Sequence, residues 1–170
     1  MKLIPPGPPA PAPIRHFGEL VDWTTVSLGA AIVLMVFTNV VFRFLNIELA
    51  WTTELSEVMM VWVTFLGGAA AARRAEHIAI TEFVDMLAQA PRRYNDAAIQ
   101  LVVALVLVLL VWFGSGIAWS SGGNRLTVLD WPMTVEYLAL PVGSAAALVF
   151  VLFDLVQIAR GKSRAERYGE

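Results

Sequence analysis

The titratable side chains with the clearest spacing flank a stretch of fifteen uncharged residues, 58–72. Two carboxylates precede the stretch, and two arginines, an acid and a histidine follow it: Glu54, Glu57, Arg73, Arg74, Glu76 and His77. Glu76 and His77 could form a general acid–base pair, but adjacent residues on a helix point in different directions. We therefore interpret the residues after the stretch as a charged stop at the level of lipid headgroups.

The composition indicates a membrane protein without a redox or metal centre. Of 170 residues, 58% are hydrophobic and 15% are charged, whereas soluble domains average about 45–50% and about 25%. The net charge of −2 provides no basic field for nucleic acid. The chain has no cysteine and only two histidines, His16 and His77. Disulfides, thiolate catalysis and cysteine-ligated clusters are thereby excluded, and we expect no cofactor and no metal site.

Four apolar runs divide the chain. They cover approximately residues 21–45, 51–72, 97–119 and 133–159. Each meets the length of roughly 20 residues that a spanning helix needs. Buried soluble helices are the alternative, but four such runs in 170 residues argue against it. We predict an all-α membrane protein with four transmembrane helices within residues 19–160.

Tails and connections are predicted from proline and charge. Residues 1–13 contain six of the nine prolines, so we expect residues 1–18 to form a disordered tail. Ten of the twelve Lys and Arg residues lie in the two tails and in the connection between spans two and three. The positive-inside rule then places both termini, including the tail 161–170, and this connection in the cytoplasm. We expect a multi-pass protein of the inner membrane.

The connection between spans two and three contains an amphipathic pattern. Ile80, Phe83, Val84 and Leu87 recur at helical spacing, and Pro91 stops the run. This pattern predicts a short helix lying on the cytoplasmic face of the lipid bilayer. A soluble connector helix packed on the bundle is the alternative.

Charges are confined to the ends of the four runs. The first has none between Asp22 and Arg43, and in the fourth Asp154 lies six residues before Arg160. A transporter of charged solutes usually places ionisable groups within the membrane. This distribution disfavours a self-sufficient four-span transporter. Pro141 in the fourth run is interpreted as a kink rather than a binding site.

Small residues repeat along one face of the second run. Thr64, Gly68 and Ala72 are spaced by four residues. Such faces allow helix backbones to approach closely in lipid. We expect this face to pack against a neighbouring helix.

Three stretches carry a resemblance to a known family. The first run closes with Asn39, Arg43 and Phe44, and the last run contains YLALPVGSAA from Tyr137. The second run has, in order, two acids, a tryptophan, the sequence TFLG, an arginine pair and an acid–histidine pair: Glu54, Glu57, Trp62, Thr64, Phe65, Leu66, Gly67, Arg73, Arg74, Glu76 and His77. From about residue 20 to 160 the chain resembles the small membrane subunit of tripartite ATP-independent periplasmic (TRAP) transporters, the DctQ-like family.

The resemblance implies a subunit without catalytic activity. It pairs with a large multi-span subunit that carries the solute and sodium sites, and a periplasmic binding protein delivers the solute, commonly an organic acid. The small subunit would act as a scaffold. Because about ten residues follow span four, we expect this copy not to be fused to the large subunit. The alternatives are a self-sufficient small transporter and a membrane enzyme or redox anchor.

A short connection joins the first two runs, so their ends must be neighbours. Asn39 lies one turn before Arg43 on the same face, and Glu54 and Glu57 share a face of the second run. We predict that Arg43 pairs with Glu57, which lies deeper, or with Glu54. The alternatives are that all three side chains reach water separately, or that one acid contacts the large subunit or the binding protein.

Overall fold

The chain folds into helices. The computed structural model describes residues 11–47, 49–74 and 89–161. Its elements are α1 (Ala12–Phe44), α2 (Ala50–Arg74), α3 (Gln89–Ser120), a 3₁₀ turn (Ser121–Gly123), α4 (Thr134–Tyr137) and α5 (Ala139–Ala159). Four helices are long and apolar enough to cross a membrane: Ala12–Phe44, Ala50–Arg74, Ala97–Gly123 and Thr134–Ala159. The predicted all-α, four-span fold is therefore confirmed.

Helix α1 begins earlier than the sequence predicts. We expected residues 1–18 to be disordered, but α1 starts at Ala12. Pro11 is the N-cap and Pro13 lies in the first turn, where the missing N–H of proline leaves no hydrogen bond unmade. Residues 12–18 are thus helical, while residues 1–10 lie outside the described residues.

Helix α3 also begins before its apolar run. It starts at Gln89 and includes Pro91 in its first turn, a position that proline tolerates. Pro91 therefore lies inside the start of a helix. The predicted interfacial helix falls on residues 75–88, outside the described residues.

The four spans pack in the order α1, α2, α5, α3, with α2 and α5 at the centre. Half of the apolar window of span four is buried, but none of that of α1. The core consists of Leu66 of α2, Val21 of α1 and four alanines of the two central helices, which let the backbones approach closely: Ala69, Ala70, Ala146 and Ala147. We call the end with Arg73 and Arg74 the arginine end, and the end with residues 45–49 and 121–133 the loop end.

Span four is interrupted at Leu138, between α4 and α5. Pro141 has no N–H to donate to the carbonyl of Tyr137, four residues earlier, so a helical hydrogen bond is missing there. Trp62 Nε1 donates to the carbonyl of Val135 at 3.0 Å on one side of the break. A Cβ on Gly114 of α3 would lie 3.2 Å from Pro141 Cδ on the other. Neighbouring helices therefore hold this interruption from two sides.

Helices α2 and α5 approach each other closely where Phe65 meets Gly143. A Cβ on Gly143 would lie 2.5 Å from Phe65 Cβ and 2.9 Å from its backbone carbon and oxygen. Backbone atoms cannot move aside by changing a rotamer. Only glycine fits at this position without shifting a helix.

We expect Gly143→Ala to lower the thermal stability of the purified protein, because overpacking costs about 1–3 kcal/mol. Gly116→Ala on α3 is the matched control, because a Cβ there meets nothing within 4 Å. In a helix the control should gain up to about 1 kcal/mol of propensity. Thermal unfolding in detergent measures both, and equal melting temperatures would contradict the close contact.

Candidate functional site

A buried ion cluster joins α1 and α2 at the arginine end. Asp22 Oδ2 accepts a hydrogen bond from Arg73 Nη1 at 2.9 Å and forms an ion pair with Arg74 Nη2, also at 2.9 Å. The side chains of Asp22, Arg73 and Arg74 are 3%, 5% and 20% exposed. One carboxylate thus faces two guanidinium groups, and the cluster carries a net positive charge. We call these three residues the Asp22 cluster.

Gly18 makes room for this cluster. It lies one turn before Asp22 on α1, and a Cβ at this position would overlap the Arg73 guanidinium. Asp22 Oδ1 and Arg74 Nε are buried and have no hydrogen-bond partner. Removing charges from water is costly, and close pairing offsets this cost only in part. The cluster is therefore a structural anchor between helices.

This cluster was not predicted from the sequence. We expected Arg73 and Arg74 to be a charged stop at the level of lipid headgroups, but Arg73 is buried and paired with α1. Asp22 is the residue from which the cluster could have been predicted. It is an acid within an apolar run, and such acids usually have a charged or polar partner. Glu76 and His77 lie outside the described residues, so the acid–base alternative stays a hypothesis.

At the loop end, Glu54 binds the backbone of the connection between spans three and four. Its carboxylate oxygens accept hydrogen bonds from Val128 N at 2.9 Å and Leu129 N at 2.8 Å. Within the same connection, Leu126 N donates a backbone hydrogen bond to the Trp131 carbonyl at 2.8 Å. Glu54 thereby attaches this loop to the first turns of α2.

The structure does not form the predicted pair between Arg43 and an acid of α2. Within the described part of the chain, no ion pair joins Arg43 to Glu54 or Glu57. Ser56 Oγ contacts Met35 Sδ at 3.4 Å, which places Glu57 level with residues near 35 in the antiparallel hairpin. Arg43 is eight residues further along α1, about 12 Å at 1.5 Å per residue. Arg43 and Glu57 are both exposed.

The other site candidates of the second span lie on different faces. Phe65 packs on Gly143, and Gly67 faces Thr25, whose Cγ2 would lie 3.8 Å from an added Cβ. Thr64 and Gly68 are exposed, and a Cβ on Gly68 would meet nothing within 4 Å. Of the predicted face Thr64–Gly68–Ala72, only Ala72 packs against the core of the bundle, while Thr64 and Gly68 meet no neighbouring helix among the described residues.

The remaining candidates lie on α1 and α5. Asn39 is half-buried on α1, and Pro141 is buried at the start of α5. Asp154, also on α5, accepts a hydrogen bond from Gln100 Nε2 of α3 at 2.7 Å. This contact ties α3 to α5 near the arginine end. Within the residues that the structure describes, no group of three acids or histidines is arranged to hold a metal ion.

We expect Asp22→Ala to destabilise the fold strongly. The variant leaves two arginines buried without their carboxylate, and breaking a buried pair costs about 3–5 kcal/mol. The control is Glu19→Ala, whose carboxylate is 56% exposed and lies 3.9 Å from Arg15; an exposed pair is worth at most about 1 kcal/mol. Thermal unfolding in detergent compares the two, and similar small shifts would show that the Asp22 cluster does not hold α1 on α2.

Comparison with known proteins places the chain in a family. The family model described as "Tripartite ATP-independent periplasmic transporters, DctQ component" matches residues 32–161. The sialic acid TRAP transporter small permease protein SiaQ of Vibrio cholerae is 30% identical over 141 residues, covering 82% of this chain and 78% of that relative.

Two further relatives are covered over a smaller share of their own length. The ectoine TRAP transporter small permease protein TeaB of Halomonas elongata is 28% identical over 122 residues, covering 70% of this chain and 63% of the relative. The sialic acid TRAP transporter permease protein SiaT of Haemophilus influenzae is 24% identical over 106 residues, covering 59% of this chain but 17% of the relative. The chain thus spans less than two thirds of each of these two. Because the family match extends over more than half of its residues, the chain belongs to the DctQ component family of TRAP transporters.

Proposed function

We propose that this chain is the non-catalytic scaffold subunit of a secondary, ion-gradient-driven TRAP uptake system for an organic acid or similar small solute. The proposal rests on one observation: the buried charged side chains make contacts between helices of this chain. Asp22 binds Arg73 and Arg74 across two helices, and Asp154 binds Gln100 across two others. These contacts join helices near one end of the bundle. Such fixed contacts between helices are what a static subunit needs. A self-sufficient transporter is therefore not favoured.

The proposed partners are a large multi-span transport subunit and a periplasmic solute-binding protein. The Haemophilus influenzae permease SiaT supports the first partner, because the region similar to this chain is only 17% of that protein. The relatives are named for sialic acid, ectoine and C4-dicarboxylates. These names support a small charged solute, which the large subunit would carry.

We expect the purified chain alone, in liposomes, to take up no organic acid under a sodium gradient. A scaffold has no solute pathway of its own, so uptake should appear only with the large subunit and the binding protein. Radiolabelled solute measures this, with empty liposomes as the control. Gradient-dependent uptake by the chain alone would refute the scaffold role.

The proposed location is the inner membrane, with both termini and the connection after Arg74 in the cytoplasm. The density of Lys and Arg in these segments supports this orientation. The loop that Glu54 attaches would then face the periplasm.

Single-cysteine labelling tests the orientation, because the chain has no native cysteine. A membrane-impermeant thiol reagent added to spheroplasts should label a cysteine at Thr127, and should label one at Ala90 or Ala165 only after lysis. The cysteine-free chain is the control. Labelling of Ala90 or Ala165 in intact spheroplasts would overturn the orientation.

A further inference from the structure

One charged side chain holds the tip of the connection between spans three and four. We call residues 127–130 the loop tip. Val128 N lies 2.9 Å from both carboxylate oxygens of Glu54, and Leu129 N lies 2.8 Å from Oε2. Glu54 belongs to α2 and precedes Val128 by 74 residues. Both oxygens of this carboxylate therefore act as acceptors for the loop tip.

The base of the loop tip is closed by contacts that do not involve Glu54. Leu126 is buried, and its N–H donates to the Trp131 carbonyl at 2.8 Å. Met133 N donates to the Asn124 carbonyl at 2.9 Å. Because these bonds do not need Glu54, its release would move only the loop tip.

The backbone of the loop tip is strained at Asp130. Its φ is 53°, in the left-handed region that few residues other than glycine adopt, although aspartate tolerates it better than most. Arg125 Nη1 donates to the Asp130 carbonyl oxygen at 2.8 Å and to its Oδ2 at 3.1 Å. These side chains are 60% and 77% exposed, and an exposed ion pair adds little stability. The contact with Glu54 is therefore the stronger restraint on the loop tip.

The charge of Glu54 determines the strength of this restraint. An ionised carboxylate only accepts hydrogen bonds, whereas a protonated carboxyl carries a hydrogen on one of its two oxygens. Hydrogen bonds to an ionised acceptor are roughly twice as strong as those between neutral groups. Protonation of Glu54 thus removes one good acceptor and weakens the other.

Other titratable groups at the loop end do not share this contact. They are Arg43 on α1, Glu57 on α2, Arg125 and Asp130 on the loop, and Glu136 and Tyr137 on α4, while Glu48 lies outside the described residues. Arg125 and Asp130 pair with each other. In the part of the chain that the structure describes, no ion pair joins Glu54 to any of these groups. The protonation of Glu54 itself therefore controls the contact.

We propose that Glu54 is a proton-sensitive latch for the loop tip. The ionised carboxylate holds residues 127–130 on α2, and protonation releases them. The attachment is complete above the pH range in which Glu54 titrates, and it is lost as the pH falls through that range. This inference does not depend on the role in transport. In the proposed orientation, the latch responds to the pH on the periplasmic side of the membrane.

Amide hydrogen exchange of the full chain in detergent tests the need for the charge. In Glu54→Gln, which keeps the size of the side chain but removes its charge, the amides of Val128 and Leu129 should exchange at least about tenfold faster, since each loses a hydrogen bond to a charged group. Glu57→Gln is the matched control on the same helix and should leave both rates unchanged. Equal rates in Glu54→Gln and the unaltered chain would overturn the latch.

A nitroxide label on a cysteine at Thr127 tests the pH response without any change at Glu54. Its mobility should rise reversibly between about pH 7 and about pH 3, a range that includes the ordinary glutamate pKa of about 4.3. In Glu54→Gln, the Thr127 label should already be mobile at neutral pH and should show no further rise. Electron paramagnetic resonance measures this mobility.

The control label is placed on a cysteine at Asn124, which is exposed in the same loop but lies outside the loop tip. Its mobility should stay constant over the same range of pH. Constant mobility at Thr127 would overturn the latch. An equal rise at Asn124 and Thr127 would also overturn it, in favour of general unfolding of the loop in acid.

Discussion

The register of the first hairpin depends on Asp22 and the two arginines that it binds. Apolar helices can slide past one another by a turn, about 5.4 Å, and still bury similar side chains. A carboxylate that is buried with Arg73 and Arg74 cannot slide, because any other register leaves charges unpaired in an apolar layer. This pairing also requires Gly18, which leaves space for the Arg73 guanidinium. The cluster thus favours one alignment of α1 and α2.

The positions of several other residues follow from this alignment. Thr25 comes opposite Gly67, and Met35 comes opposite Ser56. Glu57 is then too far along α2 to meet Arg43 and lies on the outer surface. Glu54, one turn earlier, is left to accept the backbone amides of the loop between spans three and four. The same hairpin register therefore accounts for one acid that binds within the chain and one that does not.

The fold could be predicted from the sequence because length and hydropathy alone define spanning helices. The interruption near Pro141 was also predictable, since proline removes a local hydrogen bond. The Asp22 cluster and the loop contact of Glu54 could not be predicted in this way. The partners are far apart in the sequence, by 51 positions for Asp22 and Arg73 and by 74 positions for Glu54 and Val128. A short connection shows that two helices are neighbours, but not which residues lie at the same level. The offset between Arg43 and Glu57 along the hairpin is the reason that the predicted pair does not form.

The two central helices pack through a close backbone contact and small side chains instead of a large core. Phe65 and Gly143 bring α2 and α5 into backbone contact, so small side chains fill the space between them. In lipid, the hydrophobic effect does not drive such helices together, and close packing and hydrogen bonds must do so. The chain uses both in its interior, with charges at the arginine end and small residues at the centre.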